Sequence, residues 1–336
     1  SDKADAELKA LIDKLAVEFA AELNNLGVRV AKLEAKTAIG WTFESRIRWM
    51  GDDNKTSTGT NAFDWRQRIY LSGAVNDKVD YGARLEASNA KFGTGANTVA
   101  FNRAFFNIKD LAGIDSIVIG RFGTYGLTNA LMNGKTSNND GVIITEKLGD
   151  TVTAKLMVSD QGANQEYNLL DLQWQATKDL KLNVAYSDYS MALAGNQTNV
   201  GLVYKIGDIT LTGEYVSNKI TGTSPKAKAY AFQITNGNGA LFFPSVNLVN
   251  QFKPHTDAFM ISYRSVEMNA TPVMSGFAGT APASSISDSD NVKGCYFAYQ
   301  NVLSKGLVWT VEYQDLKQKV GSSKDKSWTS YFTFYF

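Results

Sequence analysis

Two hydrophobic periods divide the chain. Over residues 3–36, Leu8, Ile12, Leu15, Phe19, Leu23, Leu26, Val30 and Leu33 recur at steps of 4, 3, 4, 4, 3, 4 and 3. That spacing lays one apolar stripe along a helix, with Lys3, Lys9, Lys14, Glu18, Lys32 and Glu34 mostly off it. Ala, Leu, Glu and Lys dominate the segment, and all are good helix formers. The extra step of four is a stutter in a heptad repeat. Fully helical, the segment would extend roughly 50 Å at ~1.5 Å per residue. Asn24, Asn25 and Gly27 weaken its second half.

At Thr37 the period changes to two. Ile39, Trp41, Phe43, Ile47 and Trp49 alternate with Gly40, Thr42, Glu44, Arg46 and Arg48. Phe63, Trp65, Ile69, Leu71 and Val75 do the same against Asp64, Arg66, Arg68, Tyr70 and Ser72. A third run sets Val79, Tyr81, Ala83, Leu85 and Ala87 against Asp80, Arg84, Glu86 and Ser88. In strands these two sets point to opposite faces. The pattern continues to Phe336 and predicts about sixteen strands.

The connections alternate in length. Short turns fall at Asn76–Lys78, Gly149–Asp150, Lys178–Asp179, Gly207–Asp208 and Leu303–Lys305. Longer polar loops fall between them at 51–60, 90–98, 123–141, 160–167, 219–226 and 266–290. Short turns on one side and long loops on the other are the pattern of an outer-membrane barrel. Residues 236–256 break it: by parity they should be a short turn, so either that turn carries an insertion or the strand count slips there.

The charges exclude a soluble barrel. Burying Arg46, Arg48, Arg66, Arg68, Arg84 and Glu86 in a dry core would cost several kcal/mol each unless paired. A wide barrel with a wet lumen turns charges to water and aromatics to lipid. At about sixteen strands side chains cannot fill the lumen, which is then a channel. The expectation is an all-β transmembrane barrel of antiparallel strands over 37–336, preceded by an α-helical coiled-coil stalk over 1–36. A barrel offers that helix no core of its own, which favours pairing between subunits.

Composition narrows the function. No stretch approaches the ~18 apolar residues of a transmembrane helix, and mean hydropathy is −0.21. Net charge is +1, so charge gives no hint of nucleic acid. Cys295 and His255 are the single cysteine and histidine, which leaves no disulfide and no His/Cys metal cluster. No cofactor is expected. A hydrolase would need a nucleophile oriented by a base, but His255 sits beside Pro254 in the anomalous connection with no Ser motif around it. Cys295 lies within a strand and reads as a packed thiol. Asn133-Gly134-Lys135-Thr136 looks like the tail of a phosphate-binding loop, but the pattern needs Gly at Asn129. The triplets starting at Asn54, Asn196 and Asn269 match a glycosylation motif that is frequent by chance.

The stalk KADAELKALIDKLAVEFAAEL, running through RVAKLEAKTAIGWTFESRIRW into the first strand, resembles one porin family. It is the major outer-membrane porin that carries an S-layer-homology domain, the OmpM type of diderm Firmicutes, with relatives in cyanobacteria. The final strand KSWTSYFTFYF, ending on Phe336, resembles the signal read by the barrel-assembly machinery. The resemblance implies homotrimers, a three-stranded stalk in the periplasm and passive uptake of small hydrophilic solutes. Leu8, Ile12, Leu15, Phe19, Leu23, Leu26, Val30 and Leu33 would then form the trimer core. The barrel would sit among outer-membrane lipid and lipopolysaccharide. Peptidoglycan or another cell-wall polymer would be bound only through an S-layer-homology domain preceding Ser1, the chain being a mature or truncated form.

The expected pore wall is Arg46, Arg48, Arg66, Arg68, Arg84, Arg103 and Arg121, with Glu44 and Glu86 as partners. Such ladders set selectivity at close quarters; the same arginines could instead pair with Glu44, Asp64, Asp80 and Glu86 on neighbouring strands. Phe122–Gly141 sits where general porins place a constriction loop, with Leu127–Met132 able to form a helical turn. It carries only Lys135 and Asp140, so the usual acidic face is missing. Competing readings are a barrel that only anchors the stalk as a tether, and a substrate-specific channel. Tyr70, Tyr331 and Tyr335 face inward but are few for an aromatic track.

Overall fold

The change of period at Thr37 is a change of structure. In the computed structural model, α1 (Asp2–Thr37) is a single helix followed by sixteen strands. The structure describes residues 2–37, 39–52, 62–90, 99–124, 127–129, 139–162, 165–190, 194–222, 226–237, 248–272 and 290–336. Leu8, Ile12, Leu15, Phe19, Leu23 and Leu26 of α1 are all exposed, so the stripe has no partner among the described residues. The side chains of Val30 and Leu33 lie outside the described residues. Among the described residues α1 approaches only the second strand, and no helix is long and apolar enough to cross a membrane.

The strands are β1 (Gly40–Asp52), β2 (Ala62–Asn76), β3 (Val79–Ala90), β4 (Val99–Leu111), β5 (Ile114–Phe122), β6 (Asn139–Leu148), β7 (Val152–Asp160) and β8 (Glu166–Gln175). They continue as β9 (Leu180–Ser190), β10 (Ala194–Ile206), β11 (Ile209–Ile220), β12 (Ala227–Thr235), β13 (Asp257–Val266), β14 (Val292–Ser304), β15 (Leu307–Gln318) and β16 (Lys324–Tyr335). Each pairs antiparallel with its neighbour in sequence, and β1 pairs with β16, which closes the barrel. Closure leaves no unpaired edge, the condition for crossing a bilayer with strands.

Alternation sets the two faces. Trp41, Phe43, Ile47 and Trp49 point outward and are exposed, whereas Glu44, Arg46 and Arg48 point into the lumen. Leu170, Leu172 and Trp174 on β8, with Val200, Leu202 and Tyr204 on β10, extend the outer apolar surface around the barrel. At the seam Trp49 meets Trp328 edge to face, with centroids 4.7 Å apart. Gly51 lacks a side chain where the Trp328 ring lies: a Cβ there would come 2.6 Å from Nε1.

α1 enters β1 at one end of the barrel, and Phe336 finishes at the same end. The tight turns lie there too. Ile206 pairs directly with Ile209 across Gly207-Asp208, and Gly207 supplies the positive φ of 59° that a two-residue hairpin needs. The exception is again residues 236–256. β12 and β13 are adjacent in full register, so no strand was miscounted and the connection is an insertion at the helix end. Its cause is addressed below.

Candidate functional site

The wall formed by β1, β2 and β3 carries a charge lattice. Arg48 donates to both carboxylate oxygens of Asp64, its Nε at 2.9 Å from Oδ1. Arg66 donates to Glu44, and Tyr70 donates its hydroxyl to the same carboxylate at 3.0 Å. Arg68 donates through Nε to Glu86 at 2.6 Å and lies 3.5 Å from Glu44. Arg84 donates to Asn102 Oδ1 at 2.7 Å, lies 3.4 Å from Glu86 and stands over the Tyr70 ring. Arg46 is held least tightly, 3.9 Å from Asp64 and 5.5 Å from the Tyr331 ring centroid. Tyr331 in turn donates to Glu312 at 2.6 Å.

The arginines expected to line a pore and those expected to pair across strands are therefore one inward-facing lattice. Cross-strand pairs satisfy most of the charge, directly opposite or two residues offset in the register, while Arg84 and Glu86 pair along β3 itself. Among the described residues the arginines of this wall still outnumber the carboxylates: Arg46, Arg48, Arg66, Arg68, Arg84 and Arg103 stand against Glu44, Asp64, Glu86, Glu312 and Asp325. Asp80 pairs with Lys109 at 2.5 Å rather than with an arginine.

One expected member is misplaced. Arg121 faces outward, not into the lumen. It pairs in register with Ala104 and Asp140 on the outer face, and donates to both Asp140 oxygens at 2.7 and 2.6 Å. The lumen side of β5 is taken by Val118, Gly120 and Phe122. Asp140 belongs to β6, not to the preceding loop. Cys295 also departs from expectation: it is exposed on the outer face of β14, opposite Tyr263, and is not packed inside.

The opposite wall was not singled out from the sequence. Asp171 on β8, Asn183 on β9, Asn199 on β10 and Glu214 on β11 form a continuous inward ladder. Asn183 donates to Asn199 Oδ1 at 2.8 Å, and Asn199 donates to Glu214. This ladder receives the β5–β6 connection. Thr128 N donates to Asp171 Oδ2 at 3.0 Å, and Asn129 N to Glu214 Oε1 at 3.4 Å. Asn129 Nδ2 also reaches the carbonyls of Leu202 and Gly213 at 3.4 Å. Gly201 on β10 leaves the space: a Cβ there would come 2.5 Å from Asn129 Nδ2. Leu127 packs with Phe122, Met157, Tyr167 and Leu169.

So residues 127–129 of the β5–β6 connection lie inside the barrel and dock on β8–β11. Residues 127–129 form a turn there; the rest of the anticipated helical turn, Lys135 and the Asn133–Thr136 motif lie outside the described residues. The acidic groups expected on the loop are supplied by the wall, and their oxygens are engaged by the loop's own amides. Residues 267–272, after β13, dock on the same wall. Gln197 donates to Ala270 O at 3.1 Å and Asn218 to Asn269 O at 2.7 Å. Among the described residues no His, Cys, Asp and Glu group could hold a metal ion.

No family model and no curated protein matches the chain. Solved structures do. A multiply substituted mutant of Rh. blastica porin aligns with TM-score 0.59 at 14% identity, covering 89% of this chain and 100% of that chain. A triple mutant of Rhodopseudomonas blastica porin aligns with TM-score 0.54 at 14% identity over the same shares. A structure described by the asymmetric conductivity of engineered proteins gives TM-score 0.58 at 14% identity, again over 89% and 100%. At such identity the likeness is one of fold: this chain has the sixteen-strand barrel of those porins.

Proposed function

We propose that the chain is an outer-membrane diffusion channel for small hydrophilic solutes and ions, working as a homotrimer. The observation that carries this reading is the pairing of faces: an apolar outer surface around a lumen lined by Arg46, Arg48, Arg66, Arg68 and Arg84. A charged wall of that extent belongs beside water, and a closed barrel of this width provides it. Residues 127–129 of the β5–β6 connection, held inside the barrel on Asp171 and Glu214, narrow the path. The surplus of arginine over carboxylate on the facing wall favours anions at that narrowing.

Trimer assembly is supported by two unpartnered surfaces. The stripe Leu8–Leu26 on α1 is exposed over its described length. On the outer barrel face, Gln67 donates to Ser45 at 2.6 Å, a polar pair better matched to a protein neighbour than to lipid. In this reading α1 is a three-stranded periplasmic stalk leading toward a cell-wall tether.

Liposome swelling with sugars of graded size tests the function. Swelling rates that fall smoothly with size, without chemical preference, are the expected result. No permeability would leave the barrel as an anchor for the stalk, and saturable uptake of one sugar would make it a substrate-specific channel. Either result overturns the proposal.

A further inference from the structure

The wall of a wet lumen is polar, and most of this one is. The helix end of β13–β15 is not. Ala258, Met260, Tyr296, Ala298, Val302 and Val308 all face inward there, and none is more than 2% exposed. Left against water they would lose on the order of 25 cal/mol for each Å² of apolar surface. Leu248 and Val249 of the β12–β13 insertion cover them.

The cover is fixed by backbone bonds as well as by contact. Leu248 N donates to Gln300 Oε1 at 2.7 Å. Gln300 faces inward, four residues before the end of β14 at Ser304, which is roughly 13 Å along the strand at ~3.3 Å per residue. His255 N donates to Val302 O, and Val302 N donates to Thr256 O, at 2.8 and 2.9 Å. Gly306 N donates to Gln251 O at 2.8 Å. Gly237 completes the fit: a Cβ there would come 2.8 Å from Ala258 Cβ and 2.9 Å from Leu248 Cβ. Residues 248–249 therefore do not lie outside the barrel. They enter the mouth and are seated on a matching apolar patch.

We propose that residues 248–256 form a second constriction, at the helix-end exit, which sets the pore's width independently of the β5–β6 connection. The inference rests on the channel reading above. The two narrowings differ in kind: the first is lined by arginine and selects by charge, whereas the second is seated on the wall through its buried apolar side chains and acts by its bulk. They also lie on different sectors, β1–β3 facing β8–β11 for the first and β13–β15 for the second.

The test is single-channel recording in planar bilayers of the full chain and of its L248S/V249S variant, with the heat-shifted band on gels reporting a folded barrel. The folded variant should raise unitary conductance by a factor on the order of 1.5 and admit larger sugars, with ion selectivity unchanged. A wild type that is silent beside a variant that conducts also supports the constriction, as a closed exit. A folded variant with wild-type conductance and size limit overturns it while leaving the channel intact. Silence of both overturns the channel reading, and the inference with it. If the double variant does not fold, N250C in a C295S background decides: Asn250 is exposed beside the cover, and attaching a bulky thiol reagent there should cut the current. Unchanged current would overturn the inference.

Discussion

The Asp171 carboxylate on β8 accepts the backbone amide of Thr128, 43 residues earlier, at 3.0 Å. Thr128 has φ +53°, a left-handed conformation unfavourable to a β-branched residue. The carboxylate thus holds a strained turn against the far wall. Charge-assisted hydrogen bonds of this kind contribute ~1.5–3 kcal/mol. Asp171→Ala should release the turn and give larger, noisier single-channel currents, while Asp171→Asn, which keeps an acceptor, restores most of the quiet behaviour. Equal noise in wild type and Asp171→Ala would show that the turn is held elsewhere.

Gly201 offers an independent route to the same outcome. Gly201→Val places a side chain where Asn129 and Asn183 meet. The barrel should still close, since the strand pairing is untouched. The connection should lose its seat, so the variant should reproduce the conductance of Asp171→Ala. Combining the two should add little, because both remove one docking event.

The arginine wall fixes the sign of selectivity. Substituting Arg46, Arg48 and Arg66 by Gln strips Asp64 of its arginine partners and leaves Glu44 with only Arg68 and Tyr70. The reversal potential in a salt gradient should move toward cation preference, and the shift should shrink at high salt as screening increases. Because unpaired buried carboxylates cost several kcal/mol, the triple variant should also melt earlier than wild type. An unmoved reversal potential would remove these residues from the ion path.

Arg121→Gln provides the contrast. Its guanidinium and Asp140 form a half-exposed pair on the outer face, 47% and 52% exposed. Reversal potential should not change at all, whereas a lumenal arginine would change it.

The stalk makes the last prediction. Replacing Leu15 and Phe19 by Ser removes two apolar side chains per chain, each contributing roughly 1.5–3 kcal/mol if buried between subunits. Sedimentation in mild detergent should shift from trimer toward monomer. A wild type already monomeric would refute the trimer itself.

Alternation made the strands, their number and the inward set on β1–β3 legible, because those strands are polar on one face and apolar on the other. β5 is different. Ile117 and Ile119 outside and Val118 inside make it apolar on both faces, so Arg121 carried no parity signal and its charge misled. The bulge at Arg84/Leu85, which admits Asn102 as an extra residue, blurs the parity just before it. The ladder Asp171–Asn183–Asn199–Glu214 was visible only as ordinary lumenal polarity. Its purpose depends on Thr128 and Asn129, which reach it from a distant part of the sequence. The exit cover did leave a trace: apolar residues in an overlong turn, and Met260, Val302 and Val308 where lumen positions are usually polar.

Phe43 and Phe336 exchange backbone hydrogen bonds at 3.1 and 3.2 Å, their rings 6.4 Å apart. This joins nearly the first barrel residue to the last. Every other strand pair can form between sequence neighbours, but this one requires the whole chain. Loop closure over such a separation is slow and gains nothing until it is complete. The seam must therefore form last, and until it does both edge strands remain open to pairing with other chains. Phe336 is thus a timer as well as a clasp: until it docks on Phe43, the sheet keeps two sticky edges rather than being a slightly smaller barrel.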